Sequence, residues 1–313
     1  MGVADTLRYI VNHPLNRDRR VRAIAGYVTW QLRSRLRHRP LIVHWIGGTR
    51  LLVSRGMTGA TGNIYTGLHE FPEMSFLLHL LRSGDLFVDA GANVGSYTVL
   101  ASGCSGAHVV SIEPSSAAFA ALLANIELNG VTALVEPSRI ALGKQEGNVP
   151  FTVGLDSVNH VVASRHPEPR RLRRIASHLE ILRYAQDDVE QVSMTTLDRL
   201  LRGRAATLIK MDVEGYETEV VDGAVETLRS KETLAVIMEL NGEGKRYGYD
   251  DADLHRRMQS FGFRASAYDP FNRSLVPTDK AGSVGDTIYI SDFDRVNARV
   301  KSAPSFHVYG QSI

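Results

Sequence analysis

The stretch Leu86-Phe87-Val88-Asp89-Ala90-Gly91-Ala92-Asn93-Val94-Gly95 decides the fold. Three apolar residues run into an acid and a glycine-spaced turn, and Val94-Gly95-Ser96-Tyr97-Thr98-Val99-Leu100-Ala101 then takes up an apolar periodicity. A buried parallel strand hands over to a helix in this way. Gly91 and Gly95 let the backbone approach a ligand, and the first helical turn offers N–H groups without intrahelical partners. Anything bound there sits above the carboxyl ends of the strands.

Spacing narrows the ligand. A dinucleotide turn has Gly-x-Gly-x-x-Gly, fitted to a pyrophosphate, whereas this chain reads Asp-x-Gly-x-Asn-x-Gly. Asp89 places negative charge where a pyrophosphate would come close, and it would attract an ammonium group instead. These residues, with Glu113-Pro114 at the end of the next strand, resemble the class I S-adenosylmethionine (SAM)-dependent methyltransferases. More narrowly, Asp89 to Thr98 and Ile209-Lys210-Met211-Asp212-Val213-Glu214-Gly215-Tyr216-Glu217 resemble the FkbM family.

That resemblance runs from about Asn63 to Asn241. It implies an α/β, Rossmann-like, doubly wound and mostly parallel seven-stranded sheet carrying an N-terminal helix and β-hairpin extension, with SAM as cofactor. Residues 1–70 are read as the extension, 71–295 as the methyltransferase domain and 296–313 as a tail. Glu113 falls 24 positions after Asp89, where an acid at a strand end accepts hydrogen bonds from both ribose hydroxyls, a device dehydrogenases share. The cofactor set is Asp89, Gly91, Asn93, Gly95 and Glu113. The resemblance adds Ala141, in the Ile140-Ala141-Leu142-Gly143 stretch near adenine, and Tyr65 and Glu70 from the region before the sheet.

A second informative run, Thr207-Leu208-Ile209-Lys210-Met211-Asp212-Val213-Glu214-Gly215, brings a strand out on the same edge as Asp89. Asp212 and Glu214 then face the place of methyl delivery, although Glu214 equally reads as the cap of a helix from Tyr216 to Leu228. Met238-Glu239-Leu240-Asn241 ends the next strand. Asp212, Glu239 and His160, in that order, are the candidates for base or acceptor-positioning group; His160 also reads as a surface or satisfied core histidine. Asp212 with Glu239 offers two carboxylates to a divalent ion, too few to assign a metal. The resemblance implies a hydroxyl acceptor on a sugar, glycolipid, polysaccharide or polyketide-type product.

Composition excludes other classes. Thirty-six basic against 34 acidic side chains leave a net charge of +2, too even for nucleic-acid binding by bulk electrostatics. One cysteine, Cys104, excludes an intrachain disulfide or a multi-cysteine metal site and reads as a packed thiol. With no apolar run long enough to span a bilayer and no secretory signal, the chain reads as cytoplasmic.

Residues 4–39 read as helical with a break near Asn12-His13-Pro14, and nine arginines lie between Arg8 and Arg39. That charge is either a solvated face or a basic amphipathic surface for an anionic membrane or acidic carrier. Leu41 to Ile46 and Arg50 to Val53 form a hairpin around Gly47-Gly48-Thr49. The glycine-rich run Gly56 to Gly67 reads as a surface loop, or as a segment folding over the ligand. The helix from Ser116 to Asn129 turns Phe119, Leu122, Leu123 and Ile126 inward and stops at Gly130. Val131 to Leu142 supplies the third strand. Residues 164–191 are an insertion, either a lid or basic patch or a segment with no catalytic role.

Three rivals remain open on sequence. Methylation of a nucleobase or amide nitrogen wants an Asn- or Asp-Pro-Pro-aromatic turn, and Met211-Asp212-Val213-Glu214 lacks it. A nicotinamide-dependent oxidoreductase wants the absent Gly-x-Gly-x-x-Gly. A degenerate methyltransferase fold would serve only as a binding module.

Overall fold

A computed structural model of the chain describes residues 2–36, 40–54, 56–152, 159–162, 189–278 and 286–313. Its centre is an eight-stranded sheet of β3 (Leu86–Ala90), β4 (His108–Ile112), β5 (Val135–Ser138), β9 (Leu208–Met211), β10 (Ala235–Glu239), β11 (Arg264–Asp269), β12 (Ser274–Pro277) and β13 (Asp286–Ile290). The spatial order is β12-β11-β13-β10-β9-β3-β4-β5. β5, β4, β3, β9 and β10 run parallel, while β13 lies antiparallel between β10 and β11. Seven of these strands meet the sequence expectation, and the eighth, β12, is a hairpin partner of β11 that the turn-rich sequence after Asp269 concealed.

The chain steps outward from β3 to β5 and then returns to lay β9 against the other side of β3. Strand order reverses there, opening a crevice at the carboxyl edge. In register, Asp89 stands opposite Lys210 and Ala90 opposite Met211, so the two informative sequence runs end side by side.

Alternation along the central strands feeds two cores. Phe87, Val109, Leu208 and Ile237 pack on one face with α4 (Phe71–Leu80), α6 (Ser116–Asn129) and α11 (Phe293–Lys301). Val88, Val110, Ile209 and Val236 pack on the other with α7 (Leu197–Leu201), α8 (Glu217–Asp222), α9 (Val225–Arg229) and α10 (Asp251–Ser260). Both faces are covered, which is why these strands read as continuous apolar runs. The stretch beyond residue 295 packs too: Val296, Val300, Val308 and Ile313 are buried in the first core.

The N-terminal part forms α1 (Val3–Asn12), α2 (Arg20–Leu36), the hairpin β1 (Leu41–His44) and β2 (Arg50–Val53), and α3 (Thr58–Thr66). Ile10, Ala23, Tyr27, Trp30, Leu51, Val53, Ala60 and Tyr65 make a third core. The glycine-rich run is therefore largely α3 and not a loop; tertiary packing overrides weak helix propensity here.

Other expectations also need adjusting. α5 (Ser96–Val99) is a single α-turn that widens into a π-helical segment, Leu100–Cys104. Leu123 is 42% exposed, so only Leu122 and Ile126 of its set are deeply buried, and Gly130 ends α6 with φ 64°. Val131 to Leu142 divides between β5 of the main sheet and β6 (Ala141–Leu142). β6 joins β7 (Gly147–Thr152) and β8 (Val189–Thr195) in a separate three-stranded sheet. The helix expected from Tyr216 to Leu228 is two short helices, α8 and α9. Of the expected insertion at 164–191, residues 164–188 lie outside the described residues, and 189–191 begin β8. Among the described residues no helix is long and apolar enough to cross a membrane.

Candidate active site

One cavity of about 480 Å³ opens at the reversal of strand order, and both halves of the predicted site line it. That volume suits a ligand of cofactor size. Gly91 shows how tightly its floor is built: with φ at +81°, an added Cβ would lie 1.8 Å from the Asp212 carbonyl oxygen. Only glycine lets the ends of β3 and β9 meet at this point.

On the cofactor side, Asp89 is 1% exposed and accepts a hydrogen bond from the Thr98 hydroxyl at 2.6 Å. Burial pushes its carboxyl up to about 6, with Lys210 and Thr98 pulling the other way. At neutral pH it remains mostly ionised and attractive to an ammonium group. Glu113 follows directly on β4, with Oε2 accepting from the Asn93 N–H at 2.8 Å and Oε1 from the Ser115 N–H at 2.8 Å. Burial raises it to about 7 while these N–H groups lower it. Each of its oxygens retains acceptor capacity for a ribose hydroxyl. Asn93 sits at φ 49°, and Gly95 closes the turn by donating to the Ala92 carbonyl at 2.8 Å. Ile112, Pro114, Ile140, Ala141 and Leu142 supply an apolar wall fit for a purine. Acid, glycine turn, second acid and apolar wall fit SAM.

On the other side, Asp212 lies 2.6 Å from the Lys210 ammonium. Lys210 is 3% exposed on β9, and its Nζ also sits 4.8 Å from the centre of the Tyr97 ring. Burial alone would lower its pKa, but Asp212, Asp286, Glu70 and Asp89 raise it well above the usual lysine value. The Tyr97 hydroxyl donates to Glu70 at 2.5 Å, which fixes Glu70 on the cavity wall.

Glu214 does not cap α8. The N-cap position is Tyr216, which offers no side-chain bond, and Glu217 in the first turn instead braces the preceding turn, its Oε1 accepting from the N–H groups of Val213 and Gly215 at 3.0 and 3.3 Å. With φ at 56°, Glu214 joins Asp212 and Glu239, and one carboxylate oxygen of each lies within 4.8 Å of the others. Burial, then the Asp212 charge, pushes Glu239 up to about 10 and Glu214 up to about 9. Such a shift favours the protonated form, in which a carboxyl can donate a hydrogen bond. Among the described residues this trio is also the group able to surround a cation.

Two predicted residues stand apart. Tyr65 is buried in the N-terminal core against Tyr27, with ring centres 5.5 Å apart, and does not line the cavity. His160 donates its backbone N–H to the Thr152 hydroxyl at 2.9 Å; its neighbours Asn159 and Val161 line the cavity, and His160 does not. The other expected site residues, Asp89, Gly91, Asn93, Glu113, Ala141, Glu70, Asp212 and Glu239, all line it. Gly95 lies within the turn.

Sequence reading gave no role to Lys210, although a lone lysine in the apolar strand Leu208-Ile209-Lys210-Met211 is a visible signal: a buried charge demands partners. Tyr97 passed as a helix-core residue. Asp286, raised well above the carboxylate range by burial and Glu70, begins a strand and gave no motif to read.

The Methyltransferase FkbM domain family matches residues 89–265. Among solved structures, the chain is similar to the methyltransferase FkbM of Methylobacillus flagellatus KT, at 15% identity over 90% of this chain and 62% of that one, with a TM-score of 0.43. It thus spans less than two thirds of that protein's length. It is also similar to a putative methyltransferase of Streptococcus mutans in complex with SAH, at 12% identity over 70% of this chain and 94% of that one, TM-score 0.38. No curated protein matches the sequence. With a cofactor crevice built as described and the family matched from the acid of the first strand through most of the sheet, the chain belongs to the FkbM family of SAM-dependent methyltransferases.

Proposed function

We propose that this protein transfers the methyl group of SAM to a hydroxyl of a sugar, glycolipid, polysaccharide or polyketide-type acceptor, with Asp212 as the group that receives the hydroxyl proton. Bound SAM would supply an electrophilic methyl group on its sulfonium sulfur. The observation that carries the reading is the Asp212 environment: the Lys210 ammonium holds one oxygen at 2.6 Å, and two carboxyls displaced far upward stand beside it.

The residues divide the work. Asp89 and Glu113 orient the cofactor, and the wall of Ile140, Ala141 and Leu142 excludes water from it. Glu214 and Glu239, both shifted toward the protonated form, donate hydrogen bonds to acceptor oxygens, while the Asp212 carboxylate paired with Lys210 accepts from the reacting hydroxyl. A neutral polyol suits such a lining better than a phosphate or carboxylate, which would meet Glu70, Asp212 and Glu243. Alignment of nucleophile and methyl group removes on the order of 7–11 kcal/mol, against roughly 3–5 kcal/mol from a general base. Losing the cofactor acids should therefore cost more rate than losing Asp212.

The test is a screen of neutral sugars and glycolipids with radiolabelled SAM, comparing the native chain with Asp212→Asn. Transfer to a hydroxyl, reduced about 10²- to 10⁴-fold by the substitution at unchanged SAM affinity, supports the reading. Transfer to nitrogen, or full activity in the variant, refutes it. SAM binding with no transfer to any acceptor would favour the binding-module alternative.

A further inference from the structure

We propose that the outward face of α2 docks on an anionic lipid bilayer surface and holds the protein there peripherally. In the helix Arg20–Leu36, Ala23, Tyr27 and Trp30 face the N-terminal core. The opposite face should be polar in a helix that merely covers a core. It is not: Val21 is 82% exposed, Val28 47%, Leu32 57% and Leu36 80%, and Ala25 is exposed between them. At about 3.6 residues per turn these five fall in one stripe about 80° wide, diametrically opposite the buried face.

Charge borders that stripe on both sides. Arg22 and Arg33 lie beside one edge and Arg35 beside the other, with Arg20 farther round on that side; all four are exposed, and the helix contains no acidic residue. An apolar strip between two cationic rows matches a bilayer interface, where the apolar side chains enter the acyl boundary and arginines extend to lipid phosphates. The same pattern disfavours a second copy of the chain, since pairing two such faces sets arginine rows against each other with no acid to compensate.

The docked face lies one helix layer from the cavity. Tyr27 of α2 packs on Tyr65 of α3, and Ala60 of α3 lines the cavity wall. A protein held by α2 therefore carries its acceptor site close to the lipid surface. This proposal does not depend on which hydroxyl is methylated.

The experiment is cosedimentation of the full chain with phosphatidylcholine vesicles and with mixed phosphatidylcholine–phosphatidylglycerol vesicles at low salt. The native chain should bind the mixed vesicles and leave pure phosphatidylcholine largely free. Val28→Ser/Leu32→Ser/Leu36→Ser should bind roughly tenfold more weakly or worse, and Arg22→Gln/Arg33→Gln on the order of twentyfold more weakly, each arginine carrying about fivefold. Added salt should release the native chain. All substituted positions are exposed, so unchanged thermal melting shows that the variants fold. Absence of binding to mixed vesicles, equal binding to both vesicle types, or full binding by the triple serine variant overturns the proposal. So does a dimer that the serine variant dissolves without any vesicle binding, which would assign the face to a second copy.

Discussion

Lys210 and Asp212, two residues apart at the end of β9, form a 2.6 Å ion pair whose lysine side chain is 4% exposed and whose aspartate side chain is 29% exposed. One ammonium thereby answers Asp212 directly and Asp89, Glu70 and Asp286 at longer range. Lys210→Met leaves those carboxylates uncompensated. A loss of about 3 kcal/mol in denaturant unfolding is expected near neutral pH, shrinking in acid as the carboxyls take up protons. An unchanged unfolding midpoint would show that Lys210 holds nothing together.

Asp89→Asn keeps the shape of the side chain and removes its charge. SAM affinity measured by calorimetry should fall roughly 10- to 100-fold, the worth of a charge-assisted contact. In the native chain affinity should rise with pH through about 6, because only the ionised Asp89 attracts an ammonium group. The variant should lose that step and keep one near 7, where Glu113 ionises.

Glu239→Gln should separate the effect of protonation from that of packing. Its folded pKa of about 10 lies above the ordinary 4.5, so the native state binds the extra proton and stability falls as pH rises between those values. Glutamine mimics the protonated acid without that dependence. Near neutral pH the variant should gain on the order of 1–3 kcal/mol, and below about pH 4 nothing. A gain of equal size in acid would mean that packing, not protonation, is responsible.

Gly91→Ala and Gly130→Ala form a matched pair, since both glycines have positive φ. An added Cβ at Gly130 meets nothing within 4 Å, so that change should cost only about 1 kcal/mol of backbone strain. At Gly91 it meets the Asp212 carbonyl oxygen at 1.8 Å. Above about 4 kcal/mol of destabilisation and loss of SAM binding are expected there. Similar melting temperatures for the two would contradict the tight floor.

Tyr65→Phe should leave SAM affinity unchanged within about twofold, since the ring belongs to the N-terminal core. A larger change in titration would return Tyr65 to the cofactor site.

Legibility followed the physics of each signal. Asp89, the glycine turn, Glu113 and Asp212 were readable because buried parallel strands are continuous apolar runs and the residue after each run must sit at one edge. Tyr65 and His160 were not placed by any such rule: one came from resemblance, the other from residue type alone. α3 was missed because its glycines speak against a helix until Ile10, Tyr27 and Leu51 pack around it. Lys210 was visible as a charge in an apolar strand, but its partners Tyr97 and Asp286 are distant in sequence, and such meetings are tertiary facts.

The brace that Glu217 gives the turn after β9 separates scaffold from trade. Because its carboxylate ties down the Val213 and Gly215 N–H groups, the turn has a brace other than the Glu214 side chain. A change of side chain at Glu214 would therefore alter the lining of the pocket while Glu217 keeps the loop in shape.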